Sequence, residues 1–151
     1  MNGLLIANKD RVAREQMADI FQQDNYQVET ADSVLNSLEG ILDKSIQVVV
    51  LGGVFDEQQI VKFVPLLKKC NRSLSIILVS DEIPLDLLRR IRKEGIFYHA
   101  LRPVADESWD EIRQVVSCAF ENYHAQQNVG RKLFGKKVPM QEATAGLSSL
   151  S

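Results

Sequence analysis

The sequence predicts an α/β domain, a doubly wound parallel sheet of five strands with helices on both faces. Short, continuous apolar runs at 3–7, 46–51 and 74–79 fit strands covered on both sides. Between the runs lie segments whose apolar residues recur at helical spacing, giving five repeats of strand then helix. Short connections in such an alternation imply right-handed crossovers, which place helices on both faces of the sheet.

The first helix gathers Ala13, Met17, Ile20 and Phe21 on one stripe, with Asp10 as its expected N-cap. Val34, Leu35, Leu38, Ile41 and Leu42 mark the second, for which Asp32 is the expected cap. A third helix over about 57–69 carries Ile60, Val61, Val64 and Leu67. Pro65 inside it lacks a backbone donor and is expected to kink or restart the helix. The fourth, 84–94, turns Leu87, Leu88 and Ile91 inward and ends at Gly95, a residue suited to a left-handed C-cap. YHAL at 98–101 is the fifth strand. The fifth helix, about 106–127, aligns Trp109, Ile112, Val116, Ala119, Phe120 and Tyr123. From Gly130 the periodicity stops, and Gly, Pro, Ser and Thr enter without a repeat. The chain is therefore divided into a domain, 1–128, and a flexible basic tail, 129–151, in which Arg131, Lys132, Lys136 and Lys137 outnumber Glu142.

A chain of 151 residues is large enough to bury about 68–70% of its unfolded surface without disulfides or metals. Its 45% hydrophobic and 25% charged residues are typical of globular domains. No run approaches the roughly 20 apolar residues needed to span a bilayer, and the first residues lack the pattern of a signal peptide. The expected location is the cytoplasm, with no membrane contact. Cys70 and Cys118 stand alone, so reduced thiols are expected rather than a disulfide or a zinc site.

In a parallel α/β sheet the carboxyl ends of the strands share one edge, where ligands bind. Asn8 and Lys9 follow the first run, Gly52 the third, Ser80 the fourth, and Arg102-Pro103 the fifth. Together with GIFYHALRPV at 95–104, the five repeats over residues 3 to 127 resemble the receiver domain of bacterial two-component response regulators. The resemblance implies a flavodoxin-like, receiver-like (βα)5 fold. In that family an acidic pair after the first strand and an aspartate after the third hold Mg²⁺, and the third-strand aspartate accepts a phosphoryl group. Carboxylates suit both tasks, as hard oxygen ligands and as a nucleophile.

Here the acidic pair falls on Asn8 and Lys9, and the acceptor falls on Gly52. An ammonium about 4 Å from a dication is repelled by about 8 kcal/mol at an effective dielectric of about 20, so no metal is expected here; no glycine-rich phosphate loop or metal-ligand spacing appears in the sequence, and no cofactor is expected either. Ser80 matches the family's hydroxyl position, and Arg102 stands where the family has lysine. The fifth strand's aromatic position is His99, and Tyr98 should face the other side of the sheet.

Lys9 and Arg102 with Ser80 form a candidate anion site, weighed against an internal ion-pair network with Asp10, Asp56 or Asp81. Those three aspartates are better read as caps and loop carboxylates than as displaced acceptors. The basic cluster Arg89, Arg90, Arg92 and Lys93 is short and lacks interleaved aromatics, so nucleic acid is not the expected partner.

The resulting expectation is a stand-alone pseudo-receiver in phosphorelay signal transduction, not an enzyme, acting by protein–protein interaction. Its expected partner is a signalling protein such as a histidine kinase or regulator. The expected partner face is the fourth helix, fifth strand and fifth helix, including Arg89, Arg92, His99 and Trp109, and a homodimer through that face is a second form of the same expectation. The competing readings are a phosphorelay regulator with an unusual acceptor, an anion or nucleotide sensor, and a DNA-binding regulator.

Overall fold

A computed structural model of the chain describes residues 2–42, 45–52, 57–103 and 109–130. Asp56, an expected ion-pair partner, and the expected basic tail over 131–151 lie outside the described residues. Strands and helices alternate as β1 (Gly3–Ala7), α1 (Arg11–Gln23), β2 (Gln27–Ala31), α2 (Val34–Leu42) and β3 (Val48–Gly52). They continue as α3 (Glu57–Cys70), β4 (Ser75–Ser80), α4 (Leu85–Lys93), β5 (Tyr98–Leu101) and α5 (Asp110–Gly130).

The sheet is parallel throughout, in the order β2-β1-β3-β4-β5. After β2 the winding reverses direction, so the carboxyl ends of β1 and β3 flank the switch point where such sheets form crevices. Every residue of β1, β3 and β4 is buried, as continuous apolar runs require. Alternate residues serve opposite layers. Leu5, Val49, Leu51, Ile76 and Leu78 pack with Ile41 of α2, Phe63 and Leu67 of α3, and Ile91 of α4. Leu4, Ile6, Val48, Val50, Ile77 and Val79 pack with Met17 and Phe21 of α1 and with Ile112, Val116 and Phe120 of α5. Tyr26 stacks on Phe120, ring centroids 4.9 Å apart, and so ties the start of β2 to α5.

β2 is an edge strand reading QVETA, mostly exposed, which explains why it carries no apolar run in the sequence. β3 and β4 begin later than their runs, because Ile46 and Leu74 are buried before the strand hydrogen bonding starts. Asp10 caps α1 as expected, its carboxylate accepting from the Val12 and Ala13 N–H groups. The α2 cap differs from expectation. Ser33, immediately before the helix, accepts the Asn36 N–H on its Oγ at 3.2 Å. Asp32 lies one residue too early to reach that donor and instead accepts from the Asn36 side-chain amide.

Pro65 does not divide α3, which runs unbroken from Glu57 to Cys70. Ile60, Phe63, Val64 and Leu67 are all buried against the sheet, and that packing outweighs one missing helical donor. Gly95 follows α4 with φ of 103°, the left-handed conformation its position predicts. Asn25 does the same after α1 with φ of 68°, a conformation asparagine tolerates better than most residues. α5 continues through Gly130, so residues 129 and 130 belong to the helix.

Candidate functional site

Register brings the strand-end residues to one edge. Ala7 lies beside Leu51, Gly52 beside Val79, and Ser80 beside Leu101, so Asn8, Gly52, Ser80 and Arg102 follow one another across β1, β3, β4 and β5. Among the described residues their side chains are engaged locally.

Asn8 is buried, with 3% of its surface exposed. Its N–H donates to the Ala31 carbonyl, its Oδ1 accepts from the Asp10 N–H at 2.9 Å, and its carbonyl accepts from Arg14 Nη1 at 2.8 Å. With Oδ1 so committed, the amide nitrogen is turned toward β3. A Cβ on Gly52 would fall against Asn8 Nδ2, 2.6 Å from its Cγ and 3.1 Å from its Cβ. Gly52 is therefore more than an absent carboxylate, because the volume a side chain would need there is filled by Asn8. Neither residue was identifiable from sequence as one half of a pair, although a small amide opposite glycine is the signal they leave.

Lys9 is exposed and its Nζ donates toward Gln59 Oε1 of α3 at 3.4 Å. Arg102 donates its backbone N–H to the Ser80 carbonyl, and its Nε approaches Asp81 Oδ1 at 3.7 Å with both side chains largely solvated. Of the expected ion-pair partners, Asp81 is thus the one seen with Arg102, while Asp10 is occupied as a helix cap.

Ser80 is 4% exposed. Its hydroxyl donates to the Asp81 carbonyl at 2.8 Å, and its Oγ also lies 2.8 Å from His99 Nε2, a contact in which the neutral imidazole donates when its proton is on Nε2. Burial, and secondarily the positive charge of Arg92, hold the His99 pKa below its ordinary value.

On the expected partner face, Arg89 and Arg92 are exposed on α4. Trp109 is only partly exposed, packed against the α1/α5 layer. Tyr98 and His99 do point to opposite sides, since Ala100, two residues beyond Tyr98, faces the α5 layer. The face also exposes Leu85 and Leu101, at 59% and 57%, which sequence periodicity had not singled out. Leu101 escapes burial because β5 lies at the sheet edge.

The receiver-type Mg²⁺ does not fit these residues. Asn8 Oδ1 is held by Asp10 N–H, Lys9 brings a positive charge, and Gly52 brings no side-chain ligand. Among the described residues no group of three His, Cys, Asp or Glu side chains could hold a metal ion.

No family model and no curated protein sequence matches the chain. Solved structures do match it. A receiver domain protein from Clostridium thermocellum superposes with a TM-score of 0.69 at 20% identity, over 85% of this chain and 98% of that one. The CheY-like receiver domain protein from Methanospirillum hungatei gives 0.70 at 16% identity, over 81% and 96%. This is the receiver fold. The beryllofluoride-activated NtrC4 receiver domain dimer has the same fold, with a TM-score of 0.72 at 19% identity over 82% of this chain and 99% of that one. Among the described residues no helix is long and apolar enough to cross a membrane.

Proposed function

We propose that this chain is a cytoplasmic pseudo-receiver of two-component signalling, one that takes up no phosphoryl group and acts through contact with a protein partner. The observation that carries the reading is Gly52 at the end of β3, with the Asn8 amide filling the space of an acceptor side chain. An aspartyl phosphate needs a carboxylate nucleophile, and neither Gly52 nor its buried neighbours supply one. Ser80 does not replace it, because its hydroxyl is buried and donates to the Asp81 carbonyl.

Output then has to pass through a surface, and the α4–β5 side supplies one. Arg89 and Arg92 stand exposed there beside Leu85 and Leu101, a combination of apolar area and charge suited to a protein. Incubation with acetyl phosphate and Mg²⁺ tests the first half, with mass spectrometry as the readout. An unmodified chain is expected, and an acid-labile phosphoryl adduct on any aspartate would overturn the reading in favour of an unusual acceptor.

A further inference from the structure

The two edges of the sheet carry opposite charge. On the β2 edge, Glu29, Asp32 and Glu39 line an open cleft of about 680 Å³ between α1 and α2. Arg14 also borders it, but its guanidinium is engaged with the Asn8 and Lys9 carbonyls. Beside the cleft, Leu35 and Leu42 of α2 are 66% and 61% exposed. On the β5 edge α4 is predominantly basic, its cations outnumbering the exposed Asp86 and Glu94. Arg89, Arg90, Arg92 and Lys93 are exposed on α4, flanked by the exposed Leu85 and Leu101. Among the described residues no ion pair engages these three carboxylates or these four cations.

α2 and α4 lie on the same face of the sheet, on either side of α3, so the two leucine-bearing surfaces point outward in opposite directions. We propose that the occupant of the α4–β5 surface is the β2/α2 edge of a second copy of this chain, its acidic cleft receiving the arginines of α4. The proposal rests on the reading of α4–β5 as the output face and names the partner of that face. The contact is heterologous, so each copy keeps one edge unused and successive copies add head to tail. An isologous pairing through α4 would set the four cations against their own copies, within a screening length of about 8 Å at physiological salt.

The test uses the full chain and two charge-reversed variants, Glu29→Lys with Glu39→Lys, and Arg89→Glu with Arg92→Glu. Circular dichroism melting of each reports that the fold is intact. Sedimentation velocity of the parent from about 10 μM to about 1 mM should show association that grows with concentration and weakens at least tenfold on raising sodium chloride from about 0.05 to about 0.5 M. Each variant alone should stay monomeric. Mixed in equal amounts they should form complexes containing both variants, because the native acidic edge of one meets the native basic edge of the other.

A parent that stays monomeric across the range overturns the proposal, as does a mixture that forms no complex. If the acidic-edge variant associates as the parent does, the self-contact is not this one. The α4–β5 face is then left to a different protein, and the reading of the chain as a pseudo-receiver stands or falls on the phosphorylation experiment alone.

Discussion

Gly52 and Asn8 act as one unit, since the absence of a side chain at one is what admits the amide of the other. Adding a single methyl at Gly52 forces Asn8 against its own hydrogen bond to Asp10 N–H, and overpacked sites of this kind lose about 1–3 kcal/mol. Gly52→Ala is thus expected to lower the urea midpoint, and Asn8→Ala in the same chain to recover part of that loss. Strict additivity of the two changes would contradict the coupling. That position 52 lacks a carboxylate was legible in the sequence. That its space is filled was not, because the amide's direction is set by a hydrogen bond two residues away. His99 gives a pH-dependent counterpart. Its folded pKa lies below the unfolded value, so the folded state favours neutral imidazole. Its contribution is therefore complete above about pH 6.5 and is lost as pH falls below that value, where the unfolded chain binds the proton first. Melting curves between about pH 7.5 and 5 should lose less stability in His99→Gln than in the parent. Equal losses in both would place the titrating group elsewhere.

At the scale of elements, what the sequence disclosed followed burial. β1, β3 and β4 are buried on both faces and appear as apolar runs, whereas β2 is exposed at the edge and had to be placed by the alternation alone. The helices were legible from their stripes, including α3, where the packing of Phe63, Val64 and Leu67 outweighs the proline's local cost. Caps were legible only where the capping residue stood directly before the helix. Asp10 meets that condition and Asp32 does not, which is why Ser33 holds the first turn of α2. The same distinction separates the two functional surfaces. Strand ends can be found from sequence because each terminates a run, but Leu35 and Leu42 of α2 read as ordinary members of an amphipathic helix, and Leu85 of α4 falls outside its stripe, until the sheet order shows which sides remain open.

For the molecule as a whole, a two-state element responds to a ligand only as far as the ligand binds the two states differently. On the proposed pseudo-receiver reading, with Asn8, Lys9 and Gly52 at the ends of β1 and β3, Mg²⁺ and phosphoryl analogues have nothing there to distinguish, so the chain is expected to keep one conformation in their presence. The amide NMR spectrum should be unchanged by Mg²⁺ with beryllofluoride. Restoring the chemistry takes more than two carboxylates. Lys9→Asp with Gly52→Asp would leave the Asn8 amide in the volume the new side chain needs, whereas Asn8→Asp, Lys9→Asp and Gly52→Asp together remove the amide and the ammonium and supply three hard oxygen donors. The triple variant is expected to show Mg²⁺-dependent shifts at positions 8, 9 and 52, and with beryllofluoride further shifts reaching Ser80 and His99, which already share a hydrogen bond at that edge. If the double variant binds Mg²⁺ as well as the triple one, Asn8 is not the barrier described. If the triple variant binds none, the ends of β1 and β3 do not form the crevice that their register implies.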